Sequence, residues 1–116
     1  MNEEKEKIKH PKNAEEFKKI IAGKKPVLVD FFATWCGPCQ MMGMILETFT
    51  DTYKNIDKVE IIKVDIDELK DIALDYDVMS VPTLILFNGG KPVETMVGMR
   101  PEEELTTKLD GILKGR

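Results

Sequence analysis

Val27-Leu28-Val29-Asp30-Phe31-Phe32-Ala33, then Trp35-Cys36-Gly37-Pro38-Cys39, then the segment from Met41 to Tyr53: the order of these three pieces decides the fold. The first is apolar throughout except for Asp30, the pattern of a buried parallel strand. The last carries Met41, Ile45, Phe49 and Tyr53 at spacing four, with Met42 and Leu46 beside them, the period of a helix. The only two cysteines therefore sit where a strand feeds a helix N-terminus, the setting of a C-x-x-C redox motif. A helix N-terminus presents unpaired N–H groups and a partial positive charge. Both favour a thiolate, the nucleophilic form, at the first cysteine. Helical residues three apart have Cβ atoms roughly 5–6 Å apart, and a disulfide needs about 3.5–4.5 Å. A small local adjustment thus lets Cys36 and Cys39 open and close a bond. Gly37 and Pro38 suit the first turn, where a missing N–H costs little. Cys36 is expected to be exposed at the tip and Cys39, one turn in, to be more shielded.

Working outward, residues 1–12 are charged and polar around a lone Ile8, a frayed arm or a short edge strand. Asn13, with Glu16 three residues on, reads as a helix N-cap ahead of an Ala14, Phe17, Ile20, Ile21 stripe that Gly23 ends. Gly43 weakens the second helix and allows a bend in it. Val59 to Asp65 reads as a strand, and Asp67 as the cap of a short helix that turns Leu69, Ile72, Ala73 and Tyr76 inward. Thr83 to Phe87 and Val93 to Met99 read as strands joined by an Asn88-Gly89-Gly90-Lys91 hairpin turn. Pro101 opens a last helix with Leu105, Leu109, Ile112 and Leu113 facing the core. The order β-α-β-α-β-α-β-β-α predicts an α/β fold, a mixed central sheet with helices on both faces. The cysteines then lie at the C-terminal end of a central strand, where open α/β sheets place their sites.

The chain has 116 residues, suited to a single domain over 1–116. Apolar and charged fractions of 42% and 33% are those of an ordinary globular protein. A net charge of −4 with interleaved signs argues against nucleic acid as a partner. No apolar run reaches the roughly 20 residues of a membrane helix. The charged N-terminus lacks a secretory pattern, which gives an expectation of the cytoplasm. Two cysteines three apart cannot staple a fold and make more sense as working thiols. Zinc asks for four ligands, and only His10, in the polar arm, remains among its usual nitrogen or sulfur ligands, so no metal is expected. Met41, Met42 and Met44 suggest copper only weakly, since methionine at helical spacing is usually core filler. Asp67, Glu68, Asp71, Asp75 and Asp77 read as a solvated face.

From about residue 13 to 114 the chain resembles the thioredoxin family. The matching pieces are Val29-Asp30-Phe31, Ala33-Thr34-Trp35-Cys36-Gly37-Pro38-Cys39, Lys63-Val64-Asp65, Ser80-Val81-Pro82-Thr83, Gly90 and Val97-Gly98. The resemblance implies the thioredoxin fold and a protein-disulfide reductase in which Cys36 attacks a substrate disulfide and Cys39 resolves the mixed disulfide. It places Asp30 behind the cysteines as a base for Cys39, against the plain reading of a strand-end carboxylate in solvent. It places Lys63 near Asp30, against the plain reading of a lysine that snorkels to water. It makes the Val81–Pro82 bond cis and turns it to the cysteines, where Val81 pairs with an extended substrate. Trp35, Gly37, Pro38, Val81, Pro82, Gly98 and Met99 then form the substrate-binding surface, of which Trp35, Gly37, Val81, Gly98 and Met99 are a flat apolar collar around Cys36.

No bound cofactor is implied. The resemblance implies a monomer reloaded by a thioredoxin reductase from NADPH, with peroxiredoxins, methionine sulfoxide reductases or ribonucleotide reductase as acceptors. Three positions depart from the family: Met44 stands where a proline often kinks the helix, Phe32 where a tryptophan is common, and Gln40 where a lysine often follows the second cysteine. The rivals are a disulfide oxidase or isomerase, which in this family usually has His in place of Pro38, and a non-catalytic docking or metal-carrier module, which would have no need of Cys36, Cys39, Asp30 and Pro82 together.

Overall fold

The alternation of side chains along β2 (Val27–Phe32) organises the molecule. In the computed structural model, which describes residues 7–115, this strand is central and all but its last residue are buried. β1 (Ile8–Lys9), β3 (Glu60–Asp65), β4 (Thr83–Asn88) and β5 (Lys91–Val97) complete a sheet of order β1-β3-β2-β4-β5. β3 runs parallel to both β1 and β2. β4 is antiparallel to β2, and β5 to β4. Residues 8 and 9 thus take the edge-strand alternative; residues 1–6 of the predicted arm lie outside the described residues.

Successive strand residues point to opposite faces. Val27, Val29 and Phe31 pack with Phe17 and Ile21 of α1 (Ala14–Ile21) and Ile72 of α3 (Lys70–Asp75). Leu28 points the other way, into a core with Met42, Leu46 and Phe49 of α2 (Gly37–Thr52) and Leu105 and Leu109 of α4 (Glu102–Lys114). Each large apolar side chain so buried is worth about 1.5–3 kcal/mol. The expected mixed sheet with helices on both faces is therefore observed. By the same alternation Asp30 and Phe32 share the α2 face with Leu28, and Lys63 shares it with Ile61.

The local signals account for most boundaries. Asn13 accepts the Glu16 backbone N–H at 2.8 Å and caps α1. Gly89 and Gly90 take φ of 65° and 81°, the two left-handed residues of a type I′ hairpin between Asn88 and Lys91. Two expectations are corrected. The apolar stripe of α2 is not led by Met41, which is 53% exposed; Cys39, Met42, Leu46, Phe49 and Tyr53, at spacings of three and four, are buried. The face is set by the inward-turned Cys39, so only Met42 of the three methionines fills core while Met44 is also exposed. Secondly, Asp67 does not cap α3, whose cap position is Leu69 with no side-chain cap bond.

Candidate active site

The chain leaves β2 at Phe32, passes through Thr34 and Trp35, and enters α2 at Gly37 with Pro38 in the first turn. Cys36 is the N-cap, with extended backbone (φ −98°, ψ 113°), and lies just outside the helix. That departure supplies the local adjustment a helical i, i+3 pair needs: Cys36 and Cys39 form a disulfide with Cα atoms 5.2 Å apart. The Cys39 backbone N–H donates to Cys36 Sγ at 3.1 Å. A sulfur thus does at α2 what the Asn13 oxygen does at α1. The first turn of α2 carries no acidic side chain, so the positive end of the helix acts on the sulfur without competition.

Cys36 does not stand out at the tip as expected. It is 5% exposed and Cys39 is 2% exposed, both packed with Ala33 and against Phe32, Ile66 and Val81. Cys36 Sγ lies 3.8 Å from the Val81 carbonyl oxygen. The Val81–Pro82 bond is cis, and the Pro82 carbonyl accepts the Gly98 N–H at 2.8 Å. Trp35 (69% exposed) and Met99 (41% exposed) are open, as are Gly37 and Pro38; Val81 and Gly98 are half-buried and Pro82 is buried. The Trp35 indole N–H donates to Asp67 Oδ2 at 2.8 Å. Sequence reasoning placed Asp67 on a solvated face; no local signal shows a bond that spans 32 residues. Met79, 92% exposed two residues before Val81, also escaped it.

Asp30 is fully buried, and neither carboxylate oxygen has a hydrogen-bond partner among the described residues. Burial disfavours the charged form and pushes the carboxyl up from 3.8 to about 6, with the Lys63 ammonium opposing it. Asp30 and Lys63 are register partners on adjacent parallel strands. Lys63 neither snorkels freely nor forms an ion pair with Asp30 among the described residues. Its Nζ sits 4.4 Å from the centre of the Phe32 ring. The structure therefore joins Cys36, Cys39, Asp30, Lys63, Val81 and Pro82 in one region.

Among the described residues, no group of three or more His, Cys, Asp or Glu side chains is placed to hold a metal ion, and no helix is long and apolar enough to cross a membrane. The thioredoxin family model matches residues 8–111. The thioredoxin of Alicyclobacillus acidocaldarius is 46% identical over 98 residues, covering 84% of this chain and 91% of that one. That of Staphylococcus epidermidis is 49% identical over 92 residues, covering 79% and 85%. The solved thioredoxin of Malassezia sympodialis superposes with a TM-score of 0.82 at 36% identity, covering 90% of this chain and 89% of that one. Such proteins use a redox-active disulfide and no bound cofactor. A family match over nearly the whole sheet, with a cysteine pair bonded at the start of α2, leads to one conclusion: the chain belongs to the thioredoxin family and is a thiol-disulfide oxidoreductase that reduces protein disulfides.

Proposed function

We propose that Cys36 is the nucleophile, Cys39 the resolving thiol and Asp30 the base that frees it. The observation that carries this is the position of Cys36 Sγ, held by the Cys39 N–H at the N-terminus of the helix that packs on the face of the sheet holding Asp30, a buried carboxylate without a hydrogen-bond partner among the described residues. In the reduced protein the Cys36 thiolate attacks one sulfur of a substrate disulfide. The substrate S–S bond breaks, the first substrate sulfur leaves as a thiolate, and a mixed disulfide joins Cys36 to the second. Asp30 takes the Cys39 proton, directly or through water, which gives the second nucleophile. The Cys39 thiolate attacks Cys36 Sγ; the substrate's second sulfur departs with the bonding electrons and is protonated. Two electrons have passed to the substrate, and the Cys36–Cys39 disulfide remains. With its carboxyl at about 6, Asp30 is mostly ionised at neutral pH and close enough to neutrality to hold the proton in passing. Lys63 steadies the carboxylate form.

Trp35, Gly37, Pro38, Val81, Pro82, Gly98 and Met99 receive the substrate. The Val81 carbonyl beside Cys36 supports an extended segment laid along residues 81–82. The return electrons come from NADPH through a thioredoxin reductase, and peroxiredoxins, methionine sulfoxide reductases and ribonucleotide reductase are acceptors suited to this chemistry. The whole chain works as one monomeric domain in a reducing compartment, the cytoplasm, where such a dithiol is kept loaded. Pro38 favours reduction over oxidation or isomerisation. The test is a trapping experiment with Cys39→Ser and a disulfide-bonded protein substrate, read by intact mass. A stable adduct through Cys36 is expected, with none from Cys36→Ser. An adduct that survives loss of Cys36 would overturn the assignment. A redox-buffer titration decides the direction of flow: the reference value for thioredoxins is about −270 mV and that for protein disulfide isomerase about −180 mV. A midpoint near the second would remove the reductant reading.

A further inference from the structure

Lys63 is anchored by something other than its charge partner. Its aliphatic stem leaves β3 on the α2 face, and its Nζ stops 4.4 Å from the Phe32 ring centre. Gly43 of α2 also borders it: an added Cβ there would lie 3.2 Å from that same Nζ. This is closer than a side-chain carbon normally approaches an ammonium, so any larger residue at 43 makes the lysine give way. A glycine in the middle of a 16-residue helix costs about 1 kcal/mol against alanine, and here the missing side chain is what leaves room for the lysine. An ammonium over an aromatic face is attracted by the ring quadrupole. Gly43 and Phe32 thus both border one slot, which the Lys63 ammonium occupies.

We propose that Gly43 and Phe32 are positioning residues for the reaction: their slot holds the Lys63 ammonium beside the buried Asp30 and so sets how readily Asp30 takes the proton of Cys39. Around Asp30, β4 contributes Leu84, β2 contributes Leu28 and Phe32, and the buried face of α2 carries Cys39 and Met42. Besides the thiol itself, Lys63 is the ionisable group that acts on this carboxyl, and it holds the carboxyl lower than burial alone would. Filling the slot makes the ammonium give way, and an ammonium moved away from Asp30 holds the carboxyl down less.

The inference rests on Asp30 being the base, and the experiment separates the two. In the oxidised full-length protein the Asp30 carboxyl carbon is followed by NMR through a pH titration, in the native chain and in Gly43→Val, Phe32→Leu and Lys63→Met. The Asp30 midpoint is expected to rise in all three, by about one pH unit for Lys63→Met and by less for the two slot variants. Gly43→Ala, which asks the ammonium to move by only a few tenths of an ångström, gives a smaller rise in the same direction and carries the test with Phe32→Leu if the valine variant does not fold. Midpoints in the slot variants that stay at the native value, or fall, overturn the proposal, and so does a native midpoint in Lys63→Met. Separately, the pH profile of protein-disulfide reduction by Asp30→Asn tests the base: an unchanged profile removes that role even where the slot variants move the titration.

Discussion

Two helix N-termini in this molecule have the same geometry and opposite purposes. At α1, Asn13 accepts the N–H three residues on, Glu16 returns to accept the Lys12 N–H at 2.6 Å, and Glu15 and Glu16 place negative charge in the first turn. Each of these contacts stabilises the helix, and the end is polar and solvated. At α2, the atom that accepts the N–H three residues on is Cys36 Sγ. No acidic side chain shares the turn, and the sheet face below it holds Asp30, a buried carboxyl with no hydrogen-bond partner among the described residues. A cap made of oxygen is inert, whereas a cap made of sulfur belongs to the redox-active pair. The difference shows that a stabilising motif becomes a reactive one by changing the element at a single position and removing the competing charges nearby.

The largest effect that sharpens this contrast is Cys36→Ser. Serine is a strong N-cap, so the helix keeps its cap while protein-disulfide reduction falls to background; a variant that stays folded yet retains turnover would break the contrast. Next comes Asp30→Asn. The native carboxyl rises from 3.8 to about 6 on folding, so the folded state binds its proton more tightly than the unfolded chain. Native stability from this group is fully present below about pH 4 and is lost as pH rises through about 6. The asparagine variant escapes that loss. Denaturant unfolding should find it more stable at pH 7 by roughly 3 kcal/mol, at about 1.4 kcal/mol per tenfold change in proton affinity, with the gain absent at pH 4 and below. Equal stabilities at pH 7 would show that the α2 end carries no such cost. Smallest is Asn13→Ala, which should lower stability by about 1 kcal/mol and leave the turnover number for protein disulfides unchanged.

The parts of the fold that were legible are those written in adjacent residues. The buried strand before the cysteines, the Asn13 cap, the two-glycine hairpin and the proline at the start of α2 are each decided by local backbone preference or by side-chain period, and all appear where expected. The misses share a cause. Met41 and Met42 are equally apolar, and only the inward turn of Cys39 selects which is buried. Asp67 is as good a cap as Asn13 by residue type, yet α3 begins only at Lys70, and the Asp67 carboxylate instead accepts the indole N–H of Trp35, 32 residues away. Gly43 reads as a weak point in a helix until Lys63 of β3 is laid across it.

By itself, then, the sequence determined the element order, the mixed sheet and the identity of the reacting sulfurs, because propensity, periodicity and the C-x-x-C spacing act within a few residues. Only the tertiary structure decided that Cys36 is buried against Val81, that Asp30 has no hydrogen-bond partner among the described residues, and that the Lys63 ammonium lies against Phe32 and Gly43. Those features depend on the dielectric and the free space created when β2, β3 and α2 close on one another, and neither quantity exists until distant parts of the chain have met.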